Sequence, residues 1–358
     1  MISPLLDEAL DLAIRHGASD VILREGTAPV LRIDGSLFAS ETAPLTTDDM
    51  DALWSACRAA PGESDHDASL STGSGERFRV NLHRRLGERG AVLRRIKREI
   101  PDLDSLGVPA DLLREWAARE SGLLIVSGPT GSGKSTTLAA VLDHVNRTVA
   151  RHVVTIEDPV EYLFEPALSV FTQREVGVDT PSFAEGLRRS LRQDPDIILV
   201  GEIRDALSAM AALQAAETGH LVLATLHASA CGEAVERLEL LFPQGERDTA
   251  RKTLSSQLVG VLCQRLVPAR AGGRIAACEY FSNEALSRKL IAEGRMAELQ
   301  DLIARGDPRT ARPLSDSLLQ LVRDGVVDEA IAMEIVPRPQ DFARALKGIV
   351  SGAQSARR

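Results

Sequence analysis

Residues 128–135 have the sequence Gly-Pro-Thr-Gly-Ser-Gly-Lys-Ser, which fits the phosphate-binding pattern G-x-x-x-x-G-K-[ST]. A predicted strand, Leu123 to Ser127, precedes this loop, and a predicted helix, Thr136 to Val145, follows it. Glycines let backbone N–H groups turn toward a phosphate, and the helix N-terminus adds positive charge. The lysine would reach the β- and γ-phosphates, and the serine hydroxyl would bind Mg²⁺. We therefore expect nucleotide contacts from Gly128, Pro129, Thr130, Gly131, Ser132, Gly133, Lys134, Ser135 and Thr136.

A glycine-rich turn with only a structural role is the alternative for this loop. The strand, the loop, the Lys-Ser pair and the helix occur together, which strongly disfavours that alternative. The sequence contains no N-K-x-D guanine signature, so ATP is favoured over GTP.

Glu202 is the next candidate, because it follows the unbroken apolar run Ile197 to Val200. Such a run is typical of a strand buried on both faces, and we expect it beside the phosphate-loop strand. Glu202 is then a metal-binding acid, a catalytic base or a polar end cap. It lies one residue beyond the usual strand-end position, which disfavours direct metal ligation. We expect it to act on Mg²⁺-bound water or to polarise the attacking water, sharing that role with Glu161.

Three further carboxylates follow the predicted strand Val153 to Ile156, namely Glu157, Asp158 and Glu161. Ligands of open α/β sheets bind beyond the carboxyl ends of strands, which is the edge where the phosphate loop lies. Clustered carboxylates repel one another unless a cation or an arginine lies among them, and Mg²⁺–ATP would supply the cation. An acidic surface loop is the alternative.

Two histidines flank the fourth predicted strand, Leu221 to Ala224. His220 precedes the strand and is expected to be a structural residue. His227 follows it, at the same sheet edge as the acids. There it would sense the γ-phosphate or hold Glu202 by a hydrogen bond.

Composition excludes several classes of protein. The 358 residues are 44% hydrophobic and 26% charged, which is typical of a globular protein with two or three domains. No apolar run reaches the ~18–20 residues of a membrane span, and an acidic N-terminus predicts no signal peptide, so we expect a cytoplasmic protein. Four scattered cysteines without a C-x-x-C pair predict neither zinc nor disulfides. A net charge of −9 and 3% aromatic residues argue against nucleic acid as a partner.

The hydrophobic pattern divides the chain into four parts. Residues 1–97 have the mixed pattern of a small α+β domain, and a linker with Pro101, Gly107 and Pro109 covers residues 98–109. Strands alternate with helices over residues 110–282, which predicts a mostly parallel sheet covered by helices. Residues 283–358 are helical in character.

Five successive segments resemble the secretion-ATPase superfamily, and most of all the type IV pilus retraction (PilT-type) ATPases. They are GPTGSGKST, TIEDPVEY, QREVGVDT, LRQDPDIILVGEIRD and AAETGHLVLATLHAS. The resemblance covers nearly the whole chain and is strongest from Gly122 to Phe242. Earlier segments, ASDVIL, VLRIDG, RFRVN and GAVLRRI, match the family's N-terminal domain. The resemblance implies an α/β fold with an N-terminal PAS-like α+β domain, a RecA-like P-loop ATPase domain and a helical C-terminal tail.

The resemblance also implies a role for each motif residue. Residues 128–135 would be the Walker A loop, and Glu202 the Walker B glutamate. Glu157, Asp158 and Glu161 would form the Asp box, with Glu161 activating water, and His220 and His227 would form the His box. The implied catalytic residues are Glu202, Glu161, Lys134 and His227, and the implied metal-binding residues are Ser135 and Glu202. Arg79 and Arg94 match N-terminal-domain arginines that approach the nucleotide. Arg192, Arg204 and Arg237 match motif arginines of the ATPase domain, of which Arg204 and Arg237 are expected to contact the nucleotide.

The implied function is that of a hexameric ATPase motor, with ATP and Mg²⁺ as cofactors, that powers pilus retraction and twitching motility. The implied partners are an inner-membrane pilus platform protein and a paralogous motor ATPase, which would hold this protein at the membrane. Two positions depart from the family pattern: Ile22 replaces a histidine, and Ala292 replaces an arginine of the C-terminal retraction signature. An accessory PilU-like or other secretion ATPase is therefore the alternative, followed by a RecA-like nucleic-acid translocase.

Overall fold

The computed structural model describes residues 2–33, 35–60, 62–73, 75–96, 99–307 and 309–348. Arg98, the predicted start of the linker, and residues 349–358, the end of the predicted C-terminal region, lie outside these ranges. The chain forms two compact units. One consists of Met1–Arg98 with Pro159–Leu163, and the other of Glu99–Asp158 with Phe164–Arg358.

The N-terminal unit packs two helices on an antiparallel sheet of six strands in the order β3-β2-β1-β6-β5-β4. The helices are α1 (Pro4–Arg15) and α2 (Thr47–Ala56). The strands are β1 (Asp20–Arg24), β2 (Val30–Ile33), β3 (Ser36–Ala39), β4 (Asp65–Ser71), β5 (Arg77–Arg85) and β6 (Glu88–Arg95). Side chains from alternate strand positions, such as Val21, Leu23, Val80, Leu82 and Leu93, are buried in one core with residues of both helices. The sequence pattern of residues 1–97 predicted a small α+β domain, and this unit contains both helices and strands.

The second unit contains a sheet of eight strands in the order β14-β13-β12-β7-β11-β10-β8-β9. They are β7 (Gly122–Ser127), β8 (His152–Glu157), β9 (Val170–Glu175), β10 (Ile197–Val200), β11 (Leu221–Leu226), β12 (Leu258–Pro268), β13 (Arg274–Ser282) and β14 (Ala311–Arg312). The pairs from β12 to β9 are all parallel, and β13 and β14 add antiparallel pairs at one end. The predicted α/β class is confirmed.

Among the described residues of this unit, six helices accompany the sheet and five belong to the C-terminal region. The first set is α3 (Ala110–Ala117), α4 (Lys134–Thr148), α5 (Phe183–Ser190), α6 (Ala206–Glu217), α7 (Cys231–Leu240) and α8 (Arg247–Gln257). The second set is α9 (Ala285–Ala292), α10 (Met296–Arg305), α11 (Leu314–Arg323), α12 (Glu329–Ile335) and α13 (Pro339–Leu346). A short 3₁₀ helix, Leu103–Leu106, precedes α3. Within the described part of the chain, no helix combines the length and apolar character needed to cross a membrane.

The position of β10 differs from the prediction. All four residues of β10 are buried, as the apolar run predicted. However, β10 pairs with β11 and β8, so β11 separates it from the phosphate-loop strand β7. An apolar run predicts burial on both faces of a sheet but contains no information about which strands lie on either side.

Gly260 on β12 provides a test of the core packing. A Cβ added at this residue would lie 2.4 Å from Trp116 Cζ2 and 2.8 Å from Phe281 O. Trp116 is 1% exposed, and its indole N–H donates to Ser282 Oγ at 3.2 Å, so the ring has little room to move. We expect Gly260→Ala to lower the free energy of unfolding by ~1–3 kcal/mol, the usual cost of overpacking. Urea unfolding checks this result. Gly245→Ala is the control because an added Cβ there meets nothing within 4 Å.

Candidate functional site

The phosphate loop connects the buried strand β7 to helix α4. Three glycines give it a shape that other residues rarely adopt: φ is +148° at Gly128, +76° at Gly131 and +88° at Gly133. Gly133 is also the N-terminal cap of α4, and the described residues provide no side-chain hydrogen bond to that cap. The first turn of α4 therefore presents its positive end at the loop, as binding of an anion requires.

Lys134 is 9% exposed and folds over the loop. Its Nζ donates to Gly128 O at 2.9 Å and to Pro129 O at 3.1 Å. Ser135 and Thr136 follow in the first turn of α4, so their side chains begin at the same end of the helix. A buried cation, left-handed glycines and an uncapped helix N-terminus together fit a bound phosphate.

Glu202 lies just beyond the carboxyl end of β10 and has a partner on each carboxylate oxygen. Oε2 accepts from Arg204 Nε at 2.6 Å, and Oε1 lies 3.0 Å from His227 Nε2. The side chain of Glu202 is 17% exposed. The sequence predicted two alternative roles for His227, sensing the γ-phosphate or holding Glu202, and the contact with Glu202 is present. Both carboxylate oxygens of Glu202 are therefore held by side chains of the site in this structure.

Arg204 connects Glu202 to the acids after β8. Its Nη1 donates to Asp158 Oδ2 at 3.1 Å, and its guanidinium lies 5.6 Å from the centre of the Phe183 ring. Burial disfavours the charged guanidinium and by itself would lower the pKa of Arg204. The hydrogen bond to Glu202 and the negative charges of Glu202 and Asp158 outweigh burial, so the pKa of Arg204 is raised. The sequence predicted that an arginine or a metal cation would be needed among these carboxylates, and an arginine is present.

The three carboxylates at the end of β8 and just after it have different surroundings. Glu157 Oε1 accepts from Thr155 Oγ1 at 2.7 Å and from Gln173 Nε2 at 3.3 Å. Asp158 is paired with Arg204, as described above. Glu161 belongs to the segment Pro159–Leu163, which is part of the N-terminal compact unit. The acidic segment is therefore divided, and only its first two carboxylates belong to the unit that contains Glu202.

The two histidines lie at opposite ends of strand β11, and therefore on opposite sides of the sheet along the strand direction. His227 follows the carboxyl end of β11, and its carbonyl accepts from Arg237 Nη1 at 2.6 Å. His220 precedes β11, where its Nδ1 lies 3.0 Å from Ala215 O at the end of α6. His220 is thus away from the edge that carries the phosphate loop, and its hydrogen bonds are local.

The remaining predicted arginines are in other places. Arg192 is exposed just after α5. In the N-terminal unit, Arg79 on β5 is the cross-strand partner of Arg94 on β6, so both side chains are on one face of that sheet. Arg94 Nε donates to Asp20 Oδ1 at 2.8 Å.

Two residues that support the site were not predicted. Ser127 at the end of β7 donates to Leu226 O or Ala228 O, at 3.1 and 2.9 Å, and accepts from Ala228 N at 2.9 Å, which ties the ends of β7 and β11 together. Gln264 on β12 donates from Nε2 to Ser132 O of the phosphate loop at 2.6 Å. Ser127 precedes the motif directly, which is a weak signal. Gln264 lies 132 positions from its partner and in no motif, so only the fold reveals it.

Known proteins share both the sequence and the fold. The family model described as type II/IV secretion system protein matches residues 1–297. The type IV pilus retractation ATPase PilT of Pseudomonas aeruginosa is 37% identical over 343 residues, which are 94% of this chain and 99% of that protein. The type IV pilus ATPase PilU of the same organism is 35% identical over 91% of this chain and 87% of its own length.

A solved structure extends this similarity to three dimensions. The crystal structure of the pilus retraction motor PilT with bound ADP matches with a TM-score of 0.85 at 37% identity, over 96% of this chain and all of that chain. The family model covers most of the chain, and the similarity to PilT is nearly full length. This chain therefore belongs to the type II/IV secretion system protein family.

Proposed function

We propose that this chain is a subunit of an ATPase motor that drives retraction of type IV pili. The observation that carries the proposal is Glu202, held by Arg204 and His227 at the carboxyl end of β10. Because β7, β11 and β10 are parallel, this end of β10 is at the same sheet edge as the phosphate loop. The similarity to the retractation ATPase PilT supports the direction of the motor.

Each residue of the site would have a separate role in ATP hydrolysis. Residues 128–136 would bind the phosphates, with Lys134 moving from the loop carbonyls to the β- and γ-phosphates. Ser135 would hold Mg²⁺, which neutralises phosphate charge when bound. Glu202 would orient and polarise the attacking water, and His227 would fix the carboxylate of Glu202. Glu157 and Asp158 would complete the polar wall of the site.

Other parts of the proposal rest on the family. The N-terminal unit would be a PAS-like domain (residues 1–97), joined by a linker (98–109) to a RecA-like core (110–282) and a helical C-terminal region (283–358). The motor would be a homohexamer in which Arg79, Arg94, Arg192, Arg204 and Arg237 stabilise phosphate charge and Glu161 helps activate water. It would act on the cytoplasmic side of the inner membrane, on a pilus platform protein.

Lys134→Ala tests the nucleotide site. Removing the buried ammonium takes away charge-assisted hydrogen bonds worth ~1.5–3 kcal/mol each, so we expect ATP binding to weaken about 100-fold and turnover to fall to background. Binding of a fluorescent ATP analogue and phosphate release measure the two effects. Lys252→Ala is the control because Lys252 is exposed on α8. If Lys134→Ala retained normal turnover, this assignment of the site would be wrong.

An accessory motor ATPase is the second candidate, favoured by the 35% identity to PilU. A retraction motor and an accessory motor differ in what deletion does. Loss of all retraction after deletion of this gene alone, measured on labelled pili, would favour the retraction motor. Retraction that persists through a paralogue would favour the accessory role.

A further inference from the structure

The side chain of Gln264 connects the neighbouring strand β12 to the phosphate loop. Gln264 is 3% exposed, and its amide Nε2 donates to the carbonyl oxygen of Ser132 at 2.6 Å. A peptide C=O and the N–H of the following residue point in opposite directions across a trans bond. The hydrogen bond therefore turns Ser132 O toward β12 and turns the N–H of Gly133 away from it.

Gln264 also contacts both ends of the loop. A Cβ added at Gly128 would lie 2.3 Å from the backbone oxygen of Gln264, and one added at Gly133 would lie 3.0 Å from its Nε2. The two glycines that flank the loop are therefore packed against a single residue of β12. The shape of the loop depends on where this strand places Gln264.

Stability alone does not account for an amide at this position. Among the described residues, the amide Oε1 of Gln264 has no hydrogen-bond partner, although the atom is buried. An unpaired buried polar group costs free energy, and this cost offsets part of what the hydrogen bond to Ser132 O contributes to stability. The one hydrogen bond described for the amide is made to the phosphate loop.

We propose that Gln264 is a positioning residue of the nucleotide site, which aims the Gly133 N–H at the phosphates by holding the carbonyl of Ser132. This inference rests on the proposed nucleotide-binding function and adds a residue to it. Gln264 would not touch the nucleotide. It would act through the orientation of one peptide group.

Gln264→Met tests the role, because methionine keeps the length of the side chain and removes the donor. Calorimetric titration of the full chain with Mg²⁺–ADP should give a Kd about tenfold weaker, the effect of one lost hydrogen bond. The KM for ATP should rise by a similar factor with a smaller change in kcat. The midpoint of thermal unfolding without nucleotide should stay within about 4 °C of wild type, since the lost bond is offset by removal of the unpaired amide oxygen. Gln214→Met, at an exposed position of α6, is the matched control.

Gln264→Asn is the second variant, because its amide is one methylene shorter and cannot span the same contact. It should weaken ADP binding by a similar factor while it keeps a polar side chain. ADP affinity within about twofold of wild type in either variant would overturn the proposal. A large loss of thermal stability that accounts for the loss of binding would overturn it too, in favour of a structural role. Absence of ADP binding by the wild-type chain would overturn the proposed function as well, whereas equal binding by wild type and variants would overturn the role of Gln264 alone.

Discussion

Glu202→Gln is expected to reduce steady-state ATP hydrolysis by about 10³-fold while ATP binding persists. The amide has nearly the shape of the carboxylate, but it carries no charge and cannot accept a proton from water. It also places an N–H₂ group against Arg204 Nε or His227 Nε2, which contact the two carboxylate oxygens at 2.6 and 3.0 Å. Phosphate release and binding of an ATP analogue measure the two quantities separately.

Glu236→Gln is the matched control for this prediction, because Glu236 is exposed on α7. Turnover above a tenth of the wild-type rate in Glu202→Gln would contradict a direct role in the reaction. Glu161→Gln, made in parallel, measures how far the second carboxylate shares the role. A comparable loss in both variants would support two cooperating acids.

Gly128→Ala is the second change with a large expected effect, a loss of at least ~100-fold in nucleotide affinity. The added Cβ would lie 2.3 Å from Gln264 O and 2.5 Å from Ser132 Oγ, and the φ of +148° is one that alanine rarely adopts. Gln264 O belongs to the backbone of a central strand, which cannot move away at low cost. The loop must therefore shift, and its N–H groups lose their alignment with the phosphates. Titration with Mg²⁺–ADP gives the affinity directly.

Gly272→Ala separates the clash from the strain of a positive φ. Gly272 has φ +91°, but an added Cβ there meets nothing within 4 Å. We expect this variant to lose some stability and to keep its nucleotide affinity. If Gly128→Ala bound ADP as tightly as Gly272→Ala, then the close contact between the loop and β12 would have no part in binding.

The local parts of the site could be predicted from the sequence because each depends on neighbours along the chain. Residues 128–135 contain their own glycines, lysine and following helix, and they form the expected strand–loop–helix. The burial of β10 likewise followed from four adjacent apolar residues. The α/β class followed from the alternation of strands and helices, which is also a local pattern.

The tertiary structure alone decided what lies beside these segments. It inserted β11 between β7 and β10, because strand order depends on how the connections cross the sheet and not on the residues of any one strand. It also placed Arg204 between Glu202 and Asp158, and it assigned Glu161 to the other compact unit. The sequence by itself determined the chemical type of each functional group and which of these groups follow the carboxyl end of a strand. Their partners, and the support that Gln264 gives to the phosphate loop, depend on contacts between distant segments that no local pattern encodes.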